Sequence, residues 1–414
     1  MSINLFKDIF IKNILKIFLS SSFSQIFPFI LLPILTRIYT PSDFGLYGIY
    51  IFIFSILSVL STGRLNNAIV NAKKLSDSKI ILYRTFILLF YFVFLLSVLI
   101  LIYHQFLNNL FFESRSILVY IFPFTLLFSG LSELSNCSLN RISNFNKIAT
   151  GKIIISFFTS IIQLFFGFTG HNEIGLVLGF TIARFIGSIY LLISINFSYI
   201  KLRKLFLTKW WRNFYNSRNY IYYDIPSSFL SISNLQSPNY LFKLYFNQVF
   251  AGQFFFVQRL FQAPITLLSG SILEVFKSEA VKEYTNTGYF SNAYKKTFKI
   301  LLLSSILPSI LLYFFVEDLI VLIFGIQWIQ AGTIAQILTL PLFLRFLGNP
   351  LSYAVYIRDK QRQNMFFVTF IFICTITIFL QFDSPILIVK YLSYLYSAQY
   401  ITYIIFSYYL SLNK

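Results

Sequence analysis

The chain has 414 residues, 57% of them hydrophobic and 11% charged, and a mean hydropathy of +0.73. A soluble domain carries about 25% charged residues, so water is not the solvent for most of this surface. Lys and Arg number 33 against 14 Asp and Glu, a formal charge of +19. These cations are interleaved with apolar runs and form no single patch, so they read as basic connections at an anionic leaflet and not as a nucleic-acid surface.

The N-terminus places Lys7, Lys12 and Lys16 before an apolar run that reaches Leu35. That run is longer than a signal-peptide core and lacks a small-x-small cleavage site, so it reads as a retained first helix. A spanning helix needs about 20 mostly apolar residues. Twelve segments qualify, near 14–36, 44–63, 84–103, 117–137, 152–170, 174–197, 220–241, 249–270, 298–316, 331–355, 364–381 and 386–411. The seventh is the most polar; with Ser, Asn, Gln and Pro238 it is expected to be broken or to line a polar space.

Cation placement supports this count. With both termini cytoplasmic, 26 of the 33 Lys and Arg fall in inside connections, and only Arg37, Arg115 and Lys243 fall outside. A miscounted helix would invert the pattern from that point on. The outside connections are short. The inside connections 198–219 and 271–297 are longer, basic and partly amphipathic, and suit the membrane surface. The first of these sits at mid-chain, which divides the protein into a six-helix lobe (1–197), a basic linker (198–219) and a second six-helix lobe (220–414).

Faint echoes relate the halves. Ser22-Phe23 and Ser228-Phe229 are 206 positions apart, as are Arg37-Ile38-Tyr39 and Lys243-Leu244-Tyr245. Gly45-Leu46-Tyr47 meets Gly252-Gln253-Phe254 after one insertion, and Pro123 followed by Arg141 parallels Pro341 followed by Arg358. Two parallel repeats are a transporter signature. The expected architecture is therefore an all-α integral membrane protein, with twelve transmembrane helices in two six-helix repeats around a central cavity.

The four remaining cations fall inside spans. A charge at mid-bilayer costs about 2.5–3.5 kcal/mol, so Arg184, Arg259, Arg345 and Lys390 need water, a carboxylate or an anionic ligand. Either they line a cationic substrate cavity, or they snorkel and pair structurally. Glu133, at the end of the fourth helix, and Asp224, at the start of the seventh, are candidates for ion coupling or for neutralising an Arg. Gly175, Gly179, Ala183 and Gly187 recur every fourth residue on the sixth helix, a ridge for close packing. Pro28, Pro33 and Pro238 occupy comparable repeat positions, where bending would work a gate or simply fix a kink. Cys137 and Cys374 lie in apolar runs, and His104 and His171 in short connections. No metal cluster or cofactor motif is present.

The stretch Pro33–Tyr47 (PILTRIYTPSDFGLY) resembles the P-x-L-T-R-x-Y-x-P-x-D-F-G-x-Y pattern of bacterial polysaccharide exporters. These are the O-antigen and repeat-unit flippases (Wzx-like) of the multidrug/oligolipid/polysaccharide superfamily. The resemblance implies a carrier of undecaprenyl-diphosphate-linked oligosaccharide in the bacterial inner membrane. It further implies alternating access driven by proton or sodium antiport, and polymerase and chain-length proteins of the same pathway as partners. Pro33, Arg37, Tyr39, Pro41, Asp43 and Gly45 of the motif read as structural, with Asp43 suited to cap the second helix. Ser20 to Thr36 holds no charge, unlike the cell-wall-precursor relatives. A polymerase or glycosyltransferase would need a long external loop or paired carboxylates, and only Glu317-Asp318 are adjacent. A multidrug exporter would favour acidic cavity residues. A non-transporting scaffold is the remaining class.

Overall fold

A computed structural model of the protein describes residues 24–63, 65–66, 69, 75–112, 117–195 and 225–412. Among them there is no strand, and twelve long helices follow in order. These are α1 (Ser24–Ile38), α2 (Pro41–Thr62), α3 (Leu75–Phe111), α4 (Ile117–Arg141), α5 (Phe145–Phe168), α6 (Asn172–Ser194), α7 (Ile225–Tyr245), α8 (Gln248–Thr287), α9 (Ser291–Phe324), α10 (Ile329–Leu351), α11 (Gln361–Gln381) and α12 (Pro385–Leu412). Each overlaps one of the twelve expected spans; residues 14–23 of the first, 196–197 of the sixth and 220–224 of the seventh lie outside the described residues. Eight stretches within the described residues are long and apolar enough to cross a membrane. Large apolar side chains face outward, such as Phe168 at 73%, Ile193 at 78% and Leu322 at 76% exposure. Only a lipid solvent makes that arrangement favourable.

Two expectations are corrected. Pro238 does not break the seventh helix, since Ile225–Tyr245 is continuous around it. The stretch 271–297 is not a separate surface segment. No breaker interrupts it before Gly288, whose left-handed backbone (φ 81°) ends α8 with its amide bonded to the Tyr284 carbonyl. α9 begins three residues later. Residues 198–219 and Asp224 lie outside the described residues.

The described chain divides into two compact units. Unit 1 is Met1–Tyr39 with Leu46–Gln236, and unit 2 is Thr40–Gly45 with Ser237–Lys414.

In unit 1, α5 and α6 form a close hairpin because the small-residue ridge of α6 leaves no bulk between them. A Cβ on Gly179 would press on Gln163, and one on Gly187 on Ile155. Gln163 donates from Nε2 to the Leu176 carbonyl (2.9 Å), and its own carbonyl accepts from the Tyr39 hydroxyl (2.6 Å). A second polar group lies in the same unit: the Tyr50 hydroxyl meets Thr125 Oγ1 at 2.5 Å, and Thr125 meets Thr181 at 2.7 Å. Tyr50 also stacks on Phe122, with centroids 4.2 Å apart.

Unit 2 holds the start of α2 against the start of α8. Thr40 and Asp43 form a capping box: the Asp43 carboxylate accepts from the Thr40 amide (2.8 Å), and Thr40 Oγ1 accepts from the Asp43 amide (3.3 Å). Asn247 Oδ1 caps α8 by accepting from the Phe250 amide (2.8 Å). Gly45 and Gly252 are reciprocal here. A Cβ on Gly45 would strike the Gln248 carbonyl, and one on Gly252 would strike the Pro41 carbonyl. Phe44 packs edge-on against Trp328 (5.0 Å) and Phe256 (6.1 Å). A larger apolar core gathers Ile265, Phe276, Phe290, Leu301, Leu347, Leu351, Ala354 and Leu410.

Candidate functional site

α4 carries Ser129, Ser132, Glu133, Asn136, Cys137 and Asn140, spaced i, i+3, i+4, i+7, i+8 and i+11, which places them on one face of a helix. That face lines a cavity of about 470 Å³ within unit 1. Ser58 and Ser61 of α2, Lys152 of α5 and Arg184 of α6 complete the polar wall.

Arg184 is half-buried, with its guanidinium 3.3 Å from the Phe180 ring centroid and 5.5 Å from that of Phe54. Nη1 donates to the Phe180 carbonyl at 3.4 Å. Aromatic faces thus hold the cation in place of a counter-ion. Among the described residues no carboxylate lies within ion-pair distance of it. Glu133 does not end its helix, which runs on to Arg141; it faces the same cavity and accepts from Asn66 Nδ2. Ser129 Oγ and Asn136 Oδ1 are buried with no hydrogen-bond partner among the described residues.

Arg184 and Glu133 are therefore brought together on one cavity wall. The other sequence candidates lie elsewhere. Arg259 of α8 has its guanidinium 5.8 Å from the Phe44 ring, and the neighbouring Gln258 accepts from Asn239 at 3.0 Å. Arg345 of α10 is half-buried. Lys390 is exposed on α12. A cavity of about 130 Å³ in unit 2, walled by Phe261, Pro264, Leu268, Pro308 and Phe343, includes none of the three. Of the motif residues, Arg37 is exposed, Tyr39 is fully buried, and Pro41, Asp43 and Gly45 form the first turn of α2.

The α4 serines and asparagines line the candidate site, and charge-based reading passes over them. Their signal was the helical spacing of small polar side chains inside an otherwise apolar span.

The fold is shared with solved structures of a lipid flippase and of multidrug transporters. A structure titled lipid II flippase MurJ, inward closed conformation, superposes with a TM-score of 0.73 at 17% identity, over 94% of this chain and 86% of that one. An inward-facing multidrug resistance MATE family transporter of the MOP superfamily gives 0.72 at 11% identity, over 94% and 93%. An outward-facing structure of such a transporter gives 0.68 at 13% identity, over 97% and 94%. No curated protein shows a significant sequence match. Residues 34–333 match the family described as polysaccharide biosynthesis protein, and the chain belongs to that family.

Proposed function

We propose that the protein is a flippase for a lipid-diphosphate-linked oligosaccharide, an O-antigen or similar repeat unit carried on undecaprenyl. It moves this cargo across the bacterial inner membrane by alternating access between two six-helix lobes, 1–197 and 220–414, around a central cavity. Residues 198–219 serve as the basic linker, and both termini are cytoplasmic. The observation that carries the reading is Arg184. An arginine inside a membrane-spanning bundle, held by aromatic rings on a polar cavity wall, is costly unless an anion uses it. A diphosphate is such an anion. Arg259, Arg345 and Lys390 are assigned to the same cargo, and Glu133 and Asp224 to proton or sodium coupling. Polymerase and chain-length proteins of the pathway are the expected partners.

Deleting the protein should make lipid-linked repeat units accumulate on the cytoplasmic leaflet. Arg184→Ala and Arg259→Ala should each cut export by about tenfold or more, the loss of one charge-assisted contact of about 1.5–3 kcal/mol, with insertion unchanged. Normal export in both variants would remove the site assignment. Glu133 on the cavity wall favours one second reading, a cation-coupled multidrug exporter of the same fold. In that case deletion would sensitise cells to cationic drugs and leave the surface polysaccharide intact.

A further inference from the structure

Resting on the flippase reading, we infer that the unit 1 cavity is the pocket for the sugar ring joined directly to the diphosphate. Arg184 takes the phosphate side, and the polar face of α4 takes the ring. Four observations lead there.

The cavity's 470 Å³ falls in the range of about 300–1,000 Å³ typical of small-molecule sites. Its wall is also rich in acceptors. Ser58, Ser61 and Ser132 spend their hydroxyl protons on their own helices, donating to the carbonyls of Ser55, Ser58 and Phe128. Their lone pairs are left toward other partners, beside the Glu133 carboxylate.

The two orphaned oxygens belong to side chains of this same wall; each is covered by protein, so a ligand satisfies it once the side chain turns toward the cavity. Asn136 Oδ1 needs a donor, and Ser129 Oγ needs both a donor and an acceptor. A phosphate at neutral pH brings acceptors almost exclusively and is repelled by Glu133. A pyranose ring brings hydroxyls that donate and accept together, which is what this wall lacks.

The charges are divided between helices. Arg184 and Lys152 stand on α6 and α5, and Glu133 with the amides stands on α4. One molecule with an anionic end and a hydroxylated end matches that division. A cationic drug would meet Arg184 and Lys152 beside the single carboxylate.

The test uses the full chain, purified in nanodiscs and titrated calorimetrically with α-glucose 1-phosphate, N-acetylglucosamine 1-phosphate, glucose and inorganic phosphate. At least one sugar phosphate should bind about tenfold more tightly than inorganic phosphate. Asn136→Leu should erase that advantage and leave inorganic phosphate binding unchanged. Ser129→Ala, the gentler substitution should Asn136→Leu fail to fold, should erase most of it. Arg184→Gln should weaken both kinds of probe. Inorganic phosphate binding as tightly as either sugar phosphate would overturn the assignment, as would an advantage that survives both α4 variants, or no binding by any probe. If the deletion strain still accumulates cytoplasm-facing lipid-linked units in those cases, the pocket assignment falls and the flippase reading stands. A sugar-phosphate advantage without accumulation would do the reverse.

Discussion

α4 and α10 hold the fourth place in the first and second six helices, and each carries a buried proline, Pro123 and Pro341. Aligned on those prolines, Ser129, Glu133, Asn136 and Asn140 of unit 1 correspond to Leu347, Leu351, Ala354 and Arg358 of unit 2. The first helix opens on a polar cavity. In unit 2, Leu351 and Ala354 are both fully buried in a packed apolar core. The same stretch, which in unit 2 runs past the end of α10 into a short helix at Ala354–Ile357, thus lines a polar cavity in one unit and builds a core in the other, and the difference lies in about four side chains. A buried polar or charged group is tolerated only where partners or water reach it. The comparison therefore predicts opposite responses to exchanging residues between the two helices.

The largest effect is expected from Leu351→Glu, which places an uncompensated carboxylate in a fully buried site at a cost of several kcal/mol. Detergent-solubilised protein should be lost or should melt far below the parent. Glu133→Leu should cost much less, about 1–3 kcal/mol for the Asn66 amide it leaves without its acceptor, because the cavity it lines is open, while export falls. Equal destabilisation by the two would break the comparison. Next comes Gly252→Ala, whose Cβ would strike the Pro41 carbonyl, a backbone atom that cannot step aside. About 3 kcal/mol is expected, read from thermal melting. Gly130→Ala on the unit 1 cavity wall presses on the buried Leu89 side chain, on both methyls (2.6 and 2.7 Å) and on Cγ (3.2 Å), but on no backbone atom; a smaller loss of about 1–2 kcal/mol is expected.

A further difference lies at the end of the alignment. Arg358 donates to the carbonyls of Leu410 (3.0 Å) and Gly288 (3.2 Å) and to the Tyr284 hydroxyl (3.4 Å), with its guanidinium 4.6 Å from the Tyr284 ring. Arg358→Asn, which copies Asn140 of unit 1, should cost about 2 kcal/mol. Arg358→Lys should recover less than half of that, because a point charge cannot span three acceptors.

The spans were legible because an apolar run of about 20 residues has few other uses. Their ends were not. Seventeen residues from Ser271 to Thr287 continue α8 although their polarity reads as a connection, because helix propensity persists in water until a residue such as Gly288 adopts a left-handed cap. Pro238 reads as a break, yet α7 runs through it, since neighbouring helices in a bundle can absorb one missing hydrogen bond. At the site, Arg184 was legible because a lone guanidinium in an apolar span is conspicuous. Ser129, Ser132 and Asn136 were not, because single small polar residues are common in such spans and acquire meaning only when packing leaves space in front of them. The Gly45 and Gly252 pairing was visible as a repeat, but its reason, two backbones crossing without a Cβ between them, is visible only in three dimensions.

At 1.5 Å per residue the 40 residues of α8 make a rod of about 60 Å, roughly twice the hydrocarbon thickness it has to cross. Half of that rod must therefore stand in water, and its Thr287 end carries the charges for it. With Cys137 and Cys374 replaced by Ser, a cysteine installed at exposed Thr285 turns that overhang into a topological marker: an impermeant thiol reagent would reach it only after the cells are opened if that end faces the cytoplasm. The orientation of the whole chain could then be read from one labelling reaction, with no cargo in hand.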